Sequence, residues 1–193
     1  MPTTLTAYTF DELTPEAQAC ALDAMPFKDC EYTAEECVDS LRAFAEKVSR
    51  SCGVSLKDWS IGSDVGRSFT KWNMEDATRE LTGARSFAWI ENNIFALVRQ
   101  GWNIKDKGRK YYRPGVVKAC PYTGVCFDED ILDAFRDKDA SLTIGERFAS
   151  IGGRLSRVIE ADIEYCNSDE GRRERADCEF EDVLFDENGR KIH

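Results

Sequence analysis

Histidine is nearly missing from this chain of 193 residues: the one that occurs is His193, the last residue. A Ser-His-Asp triad, a Cys-His pair or a histidine-rich metal site would have to rest on a frayed end. Covalent hydrolase chemistry of those kinds is not expected. Phosphate-binding loops are missing too, since neither G-x-x-x-x-G-K-[ST] nor G-x-G-x-x-G occurs. That removes the usual sequence support for nucleotide hydrolysis and dinucleotide binding. No apolar run approaches the roughly 18 residues of a membrane helix. The opening MPTTLT has no basic start, apolar stretch or small-residue cleavage site, so no export signal is expected. A cytoplasmic location is expected.

Cysteine is not scarce. Eight occur, at positions 20, 30, 37, 52, 120, 126, 166 and 178. In a reducing compartment they are expected as thiols. Cys20, Cys37 and Cys52 fall at helical positions that read as buried, where free cysteine behaves as a small hydrophobe. Cys120 and Cys126 have five residues between them, wider than the two to four usual for structural zinc. Cys166 or Cys178 could join them only through the fold. The expectation is no metal, no disulfide and no cofactor.

Charge is plentiful and uneven. The net charge is −10. From Glu160 onward there are twelve acids against five bases, a net of −7. Between Gly101 and Lys118 the sign reverses: Lys105, Lys107, Arg109, Lys110, Arg113 and Lys118 face one acid, Asp106. The acidic portion reads either as solvated surface or as an imitation of nucleic acid offered to a basic groove.

The pattern predicts an α+β fold of several amphipathic helices packed on a small, mainly antiparallel sheet, in one compact domain. A subdivision is expected near residue 140, with 141–193 as a helical and hairpin portion. Residues 5–10 alternate as a short strand. Thr14 caps a first helix with Pro15 at its first position, and Ala17, Cys20, Ala21 and Ala24 form its stripe. A second helix spans about Ala34–Cys52, opened by a Thr33/Glu36 capping box. Its apolar face is Cys37, Leu41, Phe44 and Val48, and Gly53 closes it. Val54–Ile61 and Arg67–Trp72 read as a bulged hairpin. Ser86–Gln100 reads as a core helix and Asp128–Arg136 as a short acidic-started one. A long helix after Thr143 is interrupted by Gly152-Gly153, where either another backbone packs closely or the helix bends. Ser168 caps a last helix, Glu179–Phe185 reads as a strand, and Asn188-Gly189 as a hairpin turn.

Candidate chemistry is sparse. Asp128-Glu129-Asp130 and Glu181-Asp182 could hold Mg²⁺ with a substrate phosphate, but no nucleophile or second cation singles them out. With Glu179 they are candidates for an acidic partner-binding face. Lys107, Arg109, Lys110 and Arg113 stand among Trp102, Tyr111 and Tyr112, a mixture that can grip phosphates while stacking bases. The competing reading is a surface strand, favoured because the protein as a whole repels nucleic acid. Catalysis is not expected.

Several stretches resemble a diverse family of small phage and prophage proteins. These are the opening YTFDELTPEAQ (Tyr8–Gln18), the run from Leu81 to Asn93, and CPYTGVC (Cys120–Cys126) with DEDIL (Asp128–Leu132). Tyr165, Ser168-Asp169-Glu170 and the DENG of Asp186–Gly189 complete the series. The chain departs from the family in the middle, where relatives carry a Gly- and Ser-rich segment and this sequence has Ile61–Thr70. The resemblance implies a protein acting in a bacterial host cell by binding. Some members have been labelled antitoxin-like, and small acidic phage proteins without catalytic motifs are often inhibitors of host defence. The implied function is an anti-CRISPR protein that binds a Cas effector and blocks recognition of target DNA. An antitoxin sequestering a basic toxin, a nucleic-acid-binding accessory protein and a metal-dependent enzyme are the alternatives, in that order.

Overall fold

The computed structural model describes residues 6–98, 102–106, 109–113, 121, 123 and 127–192. The fold is α+β. It separates into two compact units, one made of residues 31–160 and one that joins residues 1–30 to residues 161–193. The division therefore falls elsewhere than at residue 140. No helix among the described residues is long and apolar enough to cross a membrane.

In the larger unit, α2 (Glu31–Cys52) turns Cys37, Leu41, Phe44 and Val48 inward. It starts three residues earlier than the capping box suggested, and Thr33 lies buried inside it. Gly53, at φ +70°, ends it. Strands β1 (Ser55–Ser60) and β2 (Phe69–Asn73) pair antiparallel with an irregularity between Leu56 and Asp58, the expected bulge. Thr70 and Trp72 are buried on β2 while Phe69, Lys71 and Asn73 are exposed, the two-residue period of a half-buried strand. After the short α3 (Asp76–Arg79), the predicted core helix appears as α4 (Gly83–Ile90), a π turn (Glu91–Phe95) and α5 (Ala96–Val98). Strands β3 (Trp102–Asp106) and β4 (Arg109–Arg113) form a second antiparallel pair. The unit closes with α6 (Phe127–Arg136) and most of α7 (Ile144–Asn167).

The core of this unit centres on Phe148. Its ring lies 4.9 Å from Trp72, 4.9 Å from Phe135 and 5.9 Å from Phe44. Edge-to-face aromatic pairs add about 0.5–1.5 kcal/mol beyond area burial. The preceding residue, Arg147, is fully enclosed. Its guanidinium donates to the carbonyls of Ala134, Asp137 and Asp139 at 3.4, 2.8 and 2.6 Å. It thereby satisfies the end of α6, where carbonyls lack helical partners and a cation suits the dipole. Gly152 continues α7 without a break. A Cβ there would stand 2.6 Å from the Phe69 carbonyl carbon, so close backbone packing, not a bend, explains that glycine.

The smaller unit ties the two chain ends together. Tyr8 and Phe185 exchange backbone hydrogen bonds, both 2.9 Å. The expected first strand reduces to this single bridge, followed by a 3-10 turn at Phe10–Glu12. Helix α1 (Pro15–Asp23) is capped by Thr14, whose hydroxyl accepts from the Ala17 amide. Its buried face is Ala17, Ala21 and Leu22; Cys20 and Ala24 are exposed, against expectation. Leu13, Met25, Ala176, Phe180 and Phe185 complete the core. Helix α8 (Asp169–Glu179) starts at the Ser168 cap, as the sequence implied. It carries Glu179 as its last residue, so the predicted strand over 179–185 is a helix end, a turn and one bridge. A packed helix face through Ala176 and Phe180 overrides the local alternation there.

Candidate functional site

Two of the acidic segments named from sequence belong to different units, 128–130 to the larger and 179–182 to the smaller. Asp128 is fully buried. It accepts the Thr123 amide at 2.7 Å and the Thr123 hydroxyl at 3.0 Å, and that hydroxyl lies 3.2 Å from Ser40 on α2. It anchors the start of α6 and offers nothing to a partner, which corrects its assignment to an acidic face. Glu129 is paired with Arg136 at 2.8 Å, and the same guanidinium nitrogen holds Asp133 at 2.8 Å. Asp130 is half-buried. Burial, helped by the negative charge of Asp133, raises its carboxyl above the ordinary value. This trio is a folded, largely compensated cluster.

The smaller unit is different. It holds sixteen Asp and Glu against six Lys and Arg, a net of −10, whereas residues 31–160 hold twenty of each. The whole net charge of the protein therefore lies on the smaller unit. Glu179 is held 3.0 Å from Arg175, while Glu181 and Asp182 are exposed in the turn after α8. Two adjoining shallow hollows, of about 540 and 420 Å³, share Phe10, Asp11 and Asp177. Glu174 and Glu181 extend the rim, and Arg173 is the one cation of the lining.

The residues around these hollows are positioned by the core beneath. The Phe10 ring packs 5.2 Å from Phe180, itself 5.0 Å from Phe185. This fixes the 3-10 turn and leaves Phe10 half-buried as an apolar floor. Glu12 folds back, its carboxylate accepting from the Thr9 amide at 2.8 Å. That contact lowers its pKa and leaves Asp11 pointing to the exposed side. Carboxylates around an aromatic floor suit a guanidinium, which donates bidentate hydrogen bonds to the acids and stacks on the ring.

Asp11, Glu174 and Asp177 were not singled out from sequence. Residue 11 meets residues 174–181 only through the pairing of the chain ends, which leaves no mark in a local window. Of the basic segment, Lys107 lies outside the described residues. Arg109, Lys110 and Arg113 lie on β4, opposite Asp106, Lys105 and Trp102. Cys120 and Cys126 also lie outside the described residues. No family model matches this chain, and no curated protein and no solved structure matches it either.

Proposed function

We propose that this chain is a phage-encoded inhibitor of a host defence system, most concretely an anti-CRISPR protein. Its smaller unit would present carboxylates in place of nucleic-acid phosphates to a basic groove of a Cas effector, and so block recognition of target DNA. The observation that carries the reading is the confinement of the whole charge of −10 to the 63 residues of one unit. A field of one sign on one body steers encounter with an oppositely charged groove. The resemblance of the opening and closing segments to phage proteins supports the same reading. Action by binding, without catalysis, is part of it.

The test is a competition. Purified protein is added to Cas effector–guide complexes before labelled target DNA, across the effector types of a candidate host. Loss of DNA binding by at least one effector, relieved by the triple variant Asp11→Lys, Asp177→Lys and Glu181→Lys, is the expected result. Undiminished DNA binding by all of them at saturating protein would remove the reading.

A further inference from the structure

Three side chains far apart in sequence converge within the smaller unit. The sulfurs of Cys30 and Cys166 and a carboxylate oxygen of Asp162 all lie within 4.8 Å of one another. Asp162 and Cys166 are four residues apart on α7 and so share one helix face. Cys30 comes to them from the loop that follows α1. It is buried, and Asp162 and Cys166 are half-buried.

We propose that Cys30, Asp162 and Cys166 bind a divalent transition metal, with Zn²⁺ the ion that this donor set fits best. Two sulfurs exclude the oxygen-loving Ca²⁺ and Mg²⁺ as preferred occupants, and thiolate with carboxylate suits zinc. Zinc–ligand bonds of about 2.3 Å to sulfur and 2.0–2.2 Å to oxygen place tetrahedral donors about 3.5–3.8 Å apart. Atoms already within 4.8 Å of one another have at most about 1.3 Å to close to reach that spacing. Binding displaces the protons of both thiols to solvent, and the fourth position of the tetrahedron falls to water.

Side chains outside the donor set hold it in register. Asn167 accepts from the Lys28 amide at 3.0 Å and donates to the Lys28 carbonyl at 2.8 Å. Arg175 donates to the carbonyls of Pro26 and Cys166 at 3.1 and 3.0 Å. Both therefore tie the Cys30 loop to the end of α7. Cys30 itself has φ +54°, and no other non-glycine among the described residues has positive φ. That conformation costs a non-glycine residue about 1–2 kcal/mol, and such strain collects where geometry serves a site. Neither the clamps nor the strained cysteine is needed merely to bury a thiol.

The test uses the full chain, fully reduced with a phosphine, and titrates it with Co²⁺ as a spectroscopic probe and then with Zn²⁺. Expected is one equivalent of Co²⁺ giving thiolate-to-cobalt charge-transfer absorption, displaced by one equivalent of Zn²⁺. Cys166→Ser and Asp162→Asn each weaken binding by at least about a hundredfold, more than loss of a supporting residue. Asn167→Ala, which keeps all three donors, weakens it about ten- to hundredfold. The double variant Cys20→Ser, Cys178→Ser leaves it unchanged. Circular dichroism confirms the fold of each variant, and Asp162→Asn, nearly isosteric, carries the test if a cysteine variant unfolds. No thiolate–cobalt absorption in the wild type overturns the proposal. So does unchanged affinity in Cys166→Ser or Asp162→Asn, which would place the metal on other cysteines.

Discussion

The indole of Trp72 donates to the Phe148 backbone carbonyl at 3.0 Å while its ring meets the Phe148 ring at 4.9 Å. The same carbonyl also accepts from the Thr70 hydroxyl at 2.9 Å. One helix residue is thus held by β2 through both polar and apolar contacts. Phe148→Ala is expected to lose about 3–5 kcal/mol by emptying the centre of the larger core. Trp72→Phe should cost less for its polar part, about 1 kcal/mol, because Thr70 still satisfies the carbonyl. Urea unfolding of both variants checks the order. Equal losses would show that the carbonyl is not shared in this way.

Adjacent glycines in α7 should respond with opposite signs. Gly153→Ala meets nothing within 4 Å and should stabilise the protein by up to about 1 kcal/mol, the helix-propensity gain. Gly152→Ala would bring its Cβ to 2.6, 2.8 and 3.0 Å from backbone atoms of Phe69 and Thr70. Backbone cannot swing aside as a side-chain tip does, so this variant should be destabilised despite the same propensity gain. Thermal melting compares them directly.

Asp130 should make stability depend on pH. Its folded carboxyl is raised from an ordinary value of 3.8, first by burial and then by Asp133. A carboxyl with a raised folded pKa binds more protons folded than unfolded through that window. Its unfavourable contribution is absent below about 3.8, grows as pH rises from there toward the folded pKa, and is complete above it. Asp130→Asn is therefore expected to raise the melting temperature at pH 7 and to lose that advantage near pH 3. An advantage of the same size at both values would assign the effect to something other than ionisation.

The acidic unit carries a built-in separation of binding from stability. Asp177 and Glu179 stand in the last turn of α8, which holds no basic residue there beyond its interior. Carboxylates at that end oppose the helix dipole. Asp177→Lys should thus stabilise the fold by about 0.3–1 kcal/mol. If the proposed function holds, it should at the same time slow association with the basic partner, with a reduced dependence on salt. Stopped-flow association rates and thermal melts on the same variant test both halves.

Thiol reactivity should follow position in the fold. Cys20 and Cys178 are exposed, whereas Cys37 is enclosed. Burial, with hydrogen bonding to Cys166 and Asp162, pushes the Cys30 thiol up to about 12. In chelator-treated protein at neutral pH, iodoacetamide is expected to label Cys20 and Cys178, and Cys30 and Cys37 only after denaturation, because the thiolate is the nucleophile. Peptide mass spectrometry reads the pattern, and early labelling of Cys30 would contradict this account of its environment.

Much of the local structure follows from the sequence alone. The Cys37–Leu41–Phe44–Val48 stripe, the Thr14 and Ser168 caps, the Gly53 stop and the bulged hairpin each depend on residues within a few positions of one another. Steric and hydrogen-bonding preferences act at that range and leave a readable period. The acidic bias from Glu160 onward is equally a matter of composition. Tertiary structure alone decided the rest. The first thirty residues join the last thirty-three because Tyr8 bridges Phe185 and Leu13, Ala17 and Ala21 pack with Phe180 and Phe185. That closure adds the net −4 of residues 1–30 to the net −6 of residues 161–193 on one unit and brings Asp11 beside Asp177. It sets Cys30 against Asp162 and Cys166, and a core of its own turns the apparent strand at 179 into the end of a helix. Closure between distant segments is selected by the fit of whole apolar faces, and no short window of sequence contains both faces at once.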